Sequence, residues 1–184
     1  MSKSRLLTSE NASLLIIDVQ EKLFAVMQDQ EKFAGNILKL IDFAKIVKLP
    51  IILTEQYPKG LGRTIKQIKD KIPEVVPIEK TAFNCFGAEG FKELLQKNKI
   101  TTLIIAGIES HVCVNQTALD AMDKSIKACV ISDAISSRTK ENWQVGLERM
   151  RDNGAIISST EMLIYELLRD AKNKEFKEAQ PLLK

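Results

Sequence analysis

Short, nearly continuous apolar runs alternate along the chain with longer amphipathic stretches. Ser13–Val19 (SLLIIDV), Pro50–Thr54 (PIILT), Thr101–Gly107 (TTLIIAG), Ile126–Ser132 (IKACVIS) and Ala155–Ser158 (AIIS) predict buried strands. Val75–Ile78, bracketed by prolines, is a shorter sixth candidate. Runs that stay apolar instead of alternating with polar residues imply strands covered on both faces, as in a parallel sheet. Between them, Gln30–Lys48 sets Phe33, Ile37, Leu40, Ile41, Ala44 and Val47 at spacings of three and four, which predicts a helix with one buried stripe. Glu89–Lys97, His111–Lys124, Lys140–Asp152 and Glu161–Lys172 follow as further helices, and Asn153-Gly154 marks a helix end. Strand-helix alternation of this kind predicts a doubly wound α/β sheet with right-handed crossovers. Ligands in such sheets bind beyond the carboxyl ends of the strands, so chemistry is to be sought just after each apolar run.

No repeat, low-complexity tract or linker divides the 184 residues, and one domain spanning 1–184 is expected. The net charge of +3 comes from 27 basic and 24 acidic residues that are scattered, with no basic block of the kind a nucleic-acid footprint needs. No nucleic-acid partner is therefore expected. No apolar stretch approaches the ~18 residues of a membrane span, and Met1–Asn11 lacks the apolar run of a signal peptide. Three cysteines without paired spacing make no disulfide framework, which predicts thiols in a reducing, cytoplasmic setting. A single histidine, His111, argues against a histidine-based metal site.

Three residues stand at strand ends. Asp18 follows four consecutive apolar residues, where a carboxylate must be paired or hydrogen-bonded, either as a loop cap or as a functional group. Lys80, in Glu79-Lys80-Thr81-Ala82-Phe83, reads alone as a solvated lysine unless a buried partner such as Asp18 meets it. Cys113 follows the fourth strand in Gly107-Ile108-Glu109-Ser110-His111-Val112-Cys113-Val114. With Ser110 as N-cap, it would lie in a first helical turn, where backbone N–H groups favour a thiolate and hold an oxyanion. The competing reading is a small buried hydrophobe, the usual fate of a free cysteine. Cys129 sits inside a strand, and Cys85 lies on a loop near Lys80. There is no G-x-G-x-x-G, Walker A or G-x-S-x-G motif, and no cofactor is expected.

Taken together, LLIIDVQEKLF (Leu14–Phe24), EKTAFNCF around Lys80 and AGIESHVCVNQTALDA (Ala106–Ala121) resemble the isochorismatase-like hydrolases, in order and in strand context. TEQYPKGLGRT (Thr54–Thr64) is similar to the branch of isochorismatase domain-containing proteins. The resemblance implies a three-layer α-β-α, Rossmann-like fold with a six-stranded parallel sheet. It also implies a catalytic triad of Asp18, Lys80 and Cys113, and a cis peptide at Ile108-Glu109 that turns the Glu109 and Cys113 amides into an oxyanion hole. The expected activity is hydrolysis of a small amide, ureide or related C–N bond through a thioester, with a small-molecule substrate, no metal and a homo-oligomeric state. Phe24, Tyr57 and Phe83 lie on segments expected to wall the substrate pocket. Nicotinamidases carry an Asp-x-His and a further histidine around the second strand; Thr54-Glu55-Gln56-Tyr57 has none, which disfavours nicotinamide turnover. True isochorismatases have Gly at the nucleophile position, so Cys113 disfavours vinyl-ether cleavage. The alternatives are a non-catalytic ligand-binding or protein-interaction scaffold that keeps the triad, and a thiol-redox protein pairing Cys113 with Cys85.

Overall fold

The structure, a computed structural model, describes residues 6–183. Six strands form one parallel sheet: β1 (Ala12–Ile17), β2 (Ile51–Gln56), β3 (Ile78–Lys80), β4 (Thr102–Ile108), β5 (Lys127–Ser136) and β6 (Ile156–Ser158), in the order β3-β2-β1-β4-β5-β6. The expected three-layer α/β architecture is present. The continuous apolar runs are explained by the two cores. Leu14 and Ile16 of β1 face one layer while Leu15 and Ile17 face the other, and β4 divides Ile104 from Leu103 and Ile105 in the same way. Each such side chain, fully buried, contributes roughly 1.5–3 kcal/mol.

One layer contains α2 (Gln30–Ile46), whose Phe33, Ile37, Leu40, Ile41 and Ala44 form the predicted stripe, together with α8 (Thr160–Leu168). The other contains α5 (Phe91–Lys97), α6 (Asn115–Asp123) and α7 (Lys140–Asp152). The sequence reading ran Glu161–Lys172 as one helix. Instead α8 stops at Leu168, where Arg169 takes a positive φ of 66°, and α9 (Lys174–Ala179) starts anew behind Asn173. The short helices α1 (Glu21–Phe24), α3 (Pro58–Leu61) and α4 (Lys66–Lys71) were not anticipated, because four to six residues are too few for a periodic signal. The third strand begins at Ile78, where Val75–Ile78 was expected, so Lys80 is its last residue. No helix among the described residues is long and apolar enough to cross a membrane.

The chain steps outward from β1 to β2 and β3, then returns to place β4 on the other side of β1. The switch point of this sheet, where crossovers diverge and a cleft forms, therefore lies between β1 and β4.

Candidate active site

Asp18 follows β1 directly, with a positive φ of 53° that ends the strand. Lys80 ends β3, and Cys113 lies in the turn after β4. These three side chains meet above β1. β3 is two strands from β1, and strands stand ~4.8 Å apart. The lysine stem therefore has to cross the end of β2, which a short side chain could not do. Lys80 Nζ donates to Asp18 Oδ2 at 2.6 Å, and both side chains have no exposure. The same ammonium donates to Gln56 Oε1 at 2.7 Å and to the carbonyls of Ala82 and Phe83 at 3.2 and 3.1 Å. Thr54 Oγ1 donates to the other carboxylate oxygen, Asp18 Oδ1, at 2.7 Å. The Cys113 thiol is close enough to be electrostatically coupled to this carboxyl.

Thr54 and Gln56 were missed as site residues. They occupy alternate positions of β2 and so point to one side, while Glu55 between them turns away to the Thr64 N–H and hydroxyl and to Arg63. Their signal was visible as two polar residues at the carboxyl end of an apolar run. In the sequence this stretch served for the branch resemblance, the Tyr57 wall and the missing histidine, and neither Thr54 nor Gln56 was assigned to the site.

Burial raises the pKa of Asp18 above its ordinary 3.8, against the pull of Lys80, Thr54 and Cys113. Burial also works to lower that of Lys80, but Asp18 first, then Cys113 and Cys85, outweigh it and hold the ammonium above its usual range. At Cys113, burial and then the Asp18 carboxylate push the thiol well above its ordinary value, with Lys80 opposing them. Burial and the carboxylate thus oppose the thiolate that a helical turn would favour. Lys80 is committed to Asp18, and the neighbouring carboxylate disfavours a second negative charge.

The turn that carries Cys113 also differs from expectation. Gly107 has φ 116°, and a Cβ there would lie 2.2 Å from the Ile17 carbonyl oxygen, so β4 approaches β1 as only glycine permits. The Ile108–Glu109 peptide is cis. Ser110–Val114 forms a π-helical turn, and α6 begins only at Asn115. Ser110 is not an N-cap: its hydroxyl hydrogen-bonds that of Ser137, which also meets His111 Nδ1 at 3.0 Å. The Glu109 carbonyl accepts the N–H groups of Val112 and Val114, on either side of Cys113. Among the described residues, no backbone or side-chain acceptor takes the Glu109 N–H. The Glu109 carboxylate holds the backbone N–H and Nε of Arg138 at 3.1 and 3.0 Å, which ties the turn to the β5–α7 connection.

Of the expected wall residues, Phe24 is partly buried and packs on Phe33 with ring centroids 5.5 Å apart. Tyr57 is half exposed and borders a cavity of about 380 Å3 that Lys80 also lines. Phe83 is half exposed, and its carbonyl is one of the groups holding Lys80. Cys85 is fully buried, its N–H donating to Thr117 Oγ1 at 3.0 Å, and its thiol is pushed up to about 12 by burial and by Asp18. All three cysteines are free thiols. Among the described residues, no three His, Cys, Asp or Glu side chains group as a metal ion would need.

The isochorismatase domain matches residues 12–162. The chain belongs to the isochorismatase family. Isochorismatase family protein 1A of Dictyostelium discoideum is 37% identical over 179 residues, covering 95% of this chain and 87% of its own. Among solved structures, one described as the MAR1 ribonuclease from Caenorhabditis elegans superimposes with a TM-score of 0.90 at 34% identity, over 97% of this chain and 92% of its own. The YcaC gene product of Escherichia coli, described as an octameric hydrolase of unknown specificity, gives 0.88 at 26% identity over 100% and 97%. Members of the family are hydrolases.

Proposed function

We propose that this chain, as one catalytic domain, hydrolyses a small amide, ureide or related C–N bond with Cys113 as nucleophile. The buried Asp18–Lys80 pair, to which the Cys113 thiol is electrostatically coupled, is the observation that carries this reading. Asp18 is the acceptor for the Cys113 thiol proton. As sulfur attacks the substrate carbonyl, the S–H proton passes to Asp18, and the carbonyl electrons move to oxygen, which the Glu109 and Cys113 amides receive. The tetrahedral intermediate collapses with cleavage of the C–N bond, and Asp18 returns the proton to the leaving nitrogen. Water, giving its proton to Asp18, then attacks the thioester, and the acid leaves while Cys113 regains a proton. Lys80 keeps the carboxylate ionised and oriented between these steps.

The ribonuclease description of the nematode relative belongs to that protein. Here Lys80 is surrounded by Asp18, Gln56 and two carbonyls and has no hydrogen left for a phosphate, which favours an uncharged carbonyl substrate. One observation favours the scaffold reading instead: Cys113 is only 5% exposed, so a substrate must open the site to reach it. We also read the chain as a homo-oligomer, supported by the octameric E. coli relative and testable by light scattering.

Ammonia release from a panel of small amides and ureides, with RNA as a parallel substrate, tests the reading. Release that disappears in Cys113→Ala, with an acyl adduct on Cys113 trapped by mass spectrometry, is the expected result. RNA cleavage without ammonia release, or activity that survives Cys113→Ala, overturns it.

A further inference from the structure

A second cavity, of about 350 Å3, opens at the carboxyl end of β5 between the starts of α2 and α7. Asp18, Lys80 and Cys113 do not line it. Its apolar walls are Phe33, Ile135 and Trp143, the last being the only tryptophan of the chain. The hydroxyls in the lining are already used: Ser136 Oγ donates to the Gln28 carbonyl at 2.8 Å and Ser132 Oγ to that of Ser158 at 2.9 Å. What remains to meet a ligand is charge of both signs. Lys32 and Lys140 border the cavity, and neither is ion-paired among the described residues. Opposite in sign are Asp29, whose side chain makes no capping bond to α2, and Asp133, whose Oδ1 alone is taken, by the N–H and hydroxyl of Thr160.

A lone carboxylate in this cavity would face Asp29 and Asp133, and a lone ammonium would face Lys32 and Lys140. A molecule that carries both charges beside an apolar body matches both signs of charge and the apolar wall. Apolar walls with a few orienting polar groups, at this volume, are the usual make-up of a small-molecule site. We propose that the cavity binds a zwitterionic α-amino acid with an apolar side chain, the side chain lying against Phe33, Ile135 and Trp143. This site is separate from the catalytic triad.

Trp143 makes the test direct, because its emission, excited where phenylalanine does not absorb, reports occupancy without a label. L-Phenylalanine is titrated against the intact protein, with phenylacetate and phenethylamine as single-charge controls and calorimetry as a second readout. Saturable binding of phenylalanine is expected, weaker by about tenfold or more for each control and in Lys32→Gln/Lys140→Gln. Binding should be unchanged in Cys113→Ala, which removes the proposed catalysis and so separates the two readings. No saturable binding by either readout, equal affinity for phenylacetate or phenethylamine, or loss of binding in Cys113→Ala overturns the proposal.

Discussion

Lys80→Met removes an ammonium from a place where nothing else can replace it. Among the described residues, Lys80 is the only cation at ion-pair distance from Asp18, and the carboxylate has no exposure. The Thr54 hydroxyl remains, but one neutral donor does not compensate a charge away from water. The carboxyl escapes by keeping a proton. Starting from an ordinary pKa of 3.8, holding that proton costs ~1.36 kcal/mol for each pH unit above it. The penalty is therefore about 3 kcal/mol at pH 6 and about 5 kcal/mol at pH 7.5, within the range of roughly 3–5 kcal/mol for breaking a buried pair. The sign follows from proton counting. The folded variant binds a proton that its unfolded chain releases, so its stability falls as pH rises above 3.8. Gln56 Oε1 and the two carbonyls also lose their donor, which adds ~1–3 kcal/mol that does not vary with pH. Urea unfolding of wild type and variant at pH 6 and 7.5, followed by circular dichroism, reads the difference. The destabilisation should grow between the two conditions, by at most about 2 kcal/mol because burial also holds the wild-type Asp18 carboxyl above 3.8, and Asp18→Asn in the same chain should remove the growth. A destabilisation that is equal at both pH values, or that Asp18→Asn leaves intact, would refute the pairing argument.

Three further outcomes are expected. Gly107→Ala should destabilise by ~3 kcal/mol or more, from overpacking and the positive φ together, and should abolish soluble folded protein or lower Tm sharply in calorimetry. In native protein at neutral pH, iodoacetamide should label Cys113 slowly and Cys85 and Cys129 hardly at all. Labelling of Cys113 should accelerate as pH rises, because its thiol lies above the ordinary range, and peptide mapping at two pH values decides this. Burial works to raise the Glu55 pKa, but the Thr64 N–H and hydroxyl with Arg63 outweigh it and hold the carboxyl below its ordinary 4.5. Its stabilisation should therefore be complete above pH 4.5 and fade as pH falls through the lowered value, so Glu55→Gln should cost ~1–2 kcal/mol at pH 7 and little in strong acid.

The layered α/β fold was legible because the fold itself writes a pattern. A strand covered on both faces needs apolar residues at every position, as in Leu14–Ile17 and Leu103–Ala106, and α2 needs its stripe at spacings of three and four. Asp18 and Cys113 stood out by position at or just beyond the carboxyl end of a strand, whereas Lys80 alone read as a solvated lysine, and only the family resemblance joined the three. The sequence did not reveal the partners of these groups. Thr54 and Gln56 read as ordinary strand-end polars until the order β3-β2-β1-β4 set β2 between Lys80 and Asp18. Ser110 read as a cap because capping preferences are local, whereas its hydroxyl is taken by Ser137, brought beside it by the pairing of β4 with β5. The surroundings of the Cys113 sulfur were hidden for the same reason. Sequence proximity to a helix start argues for a thiolate, while depth below the surface and the Asp18 carboxylate, both products of packing, work against it. The cavity beside Trp143 could not be located from the chain, because Phe33, Ile135 and Trp143 come from three separate elements. Patterns repeated along one element are determined by sequence, since each residue's neighbours are its own chain. The charge state, hydrogen-bond partners and ligand spaces of this protein depend on groups far apart in the chain, and only the tertiary structure sets their distances.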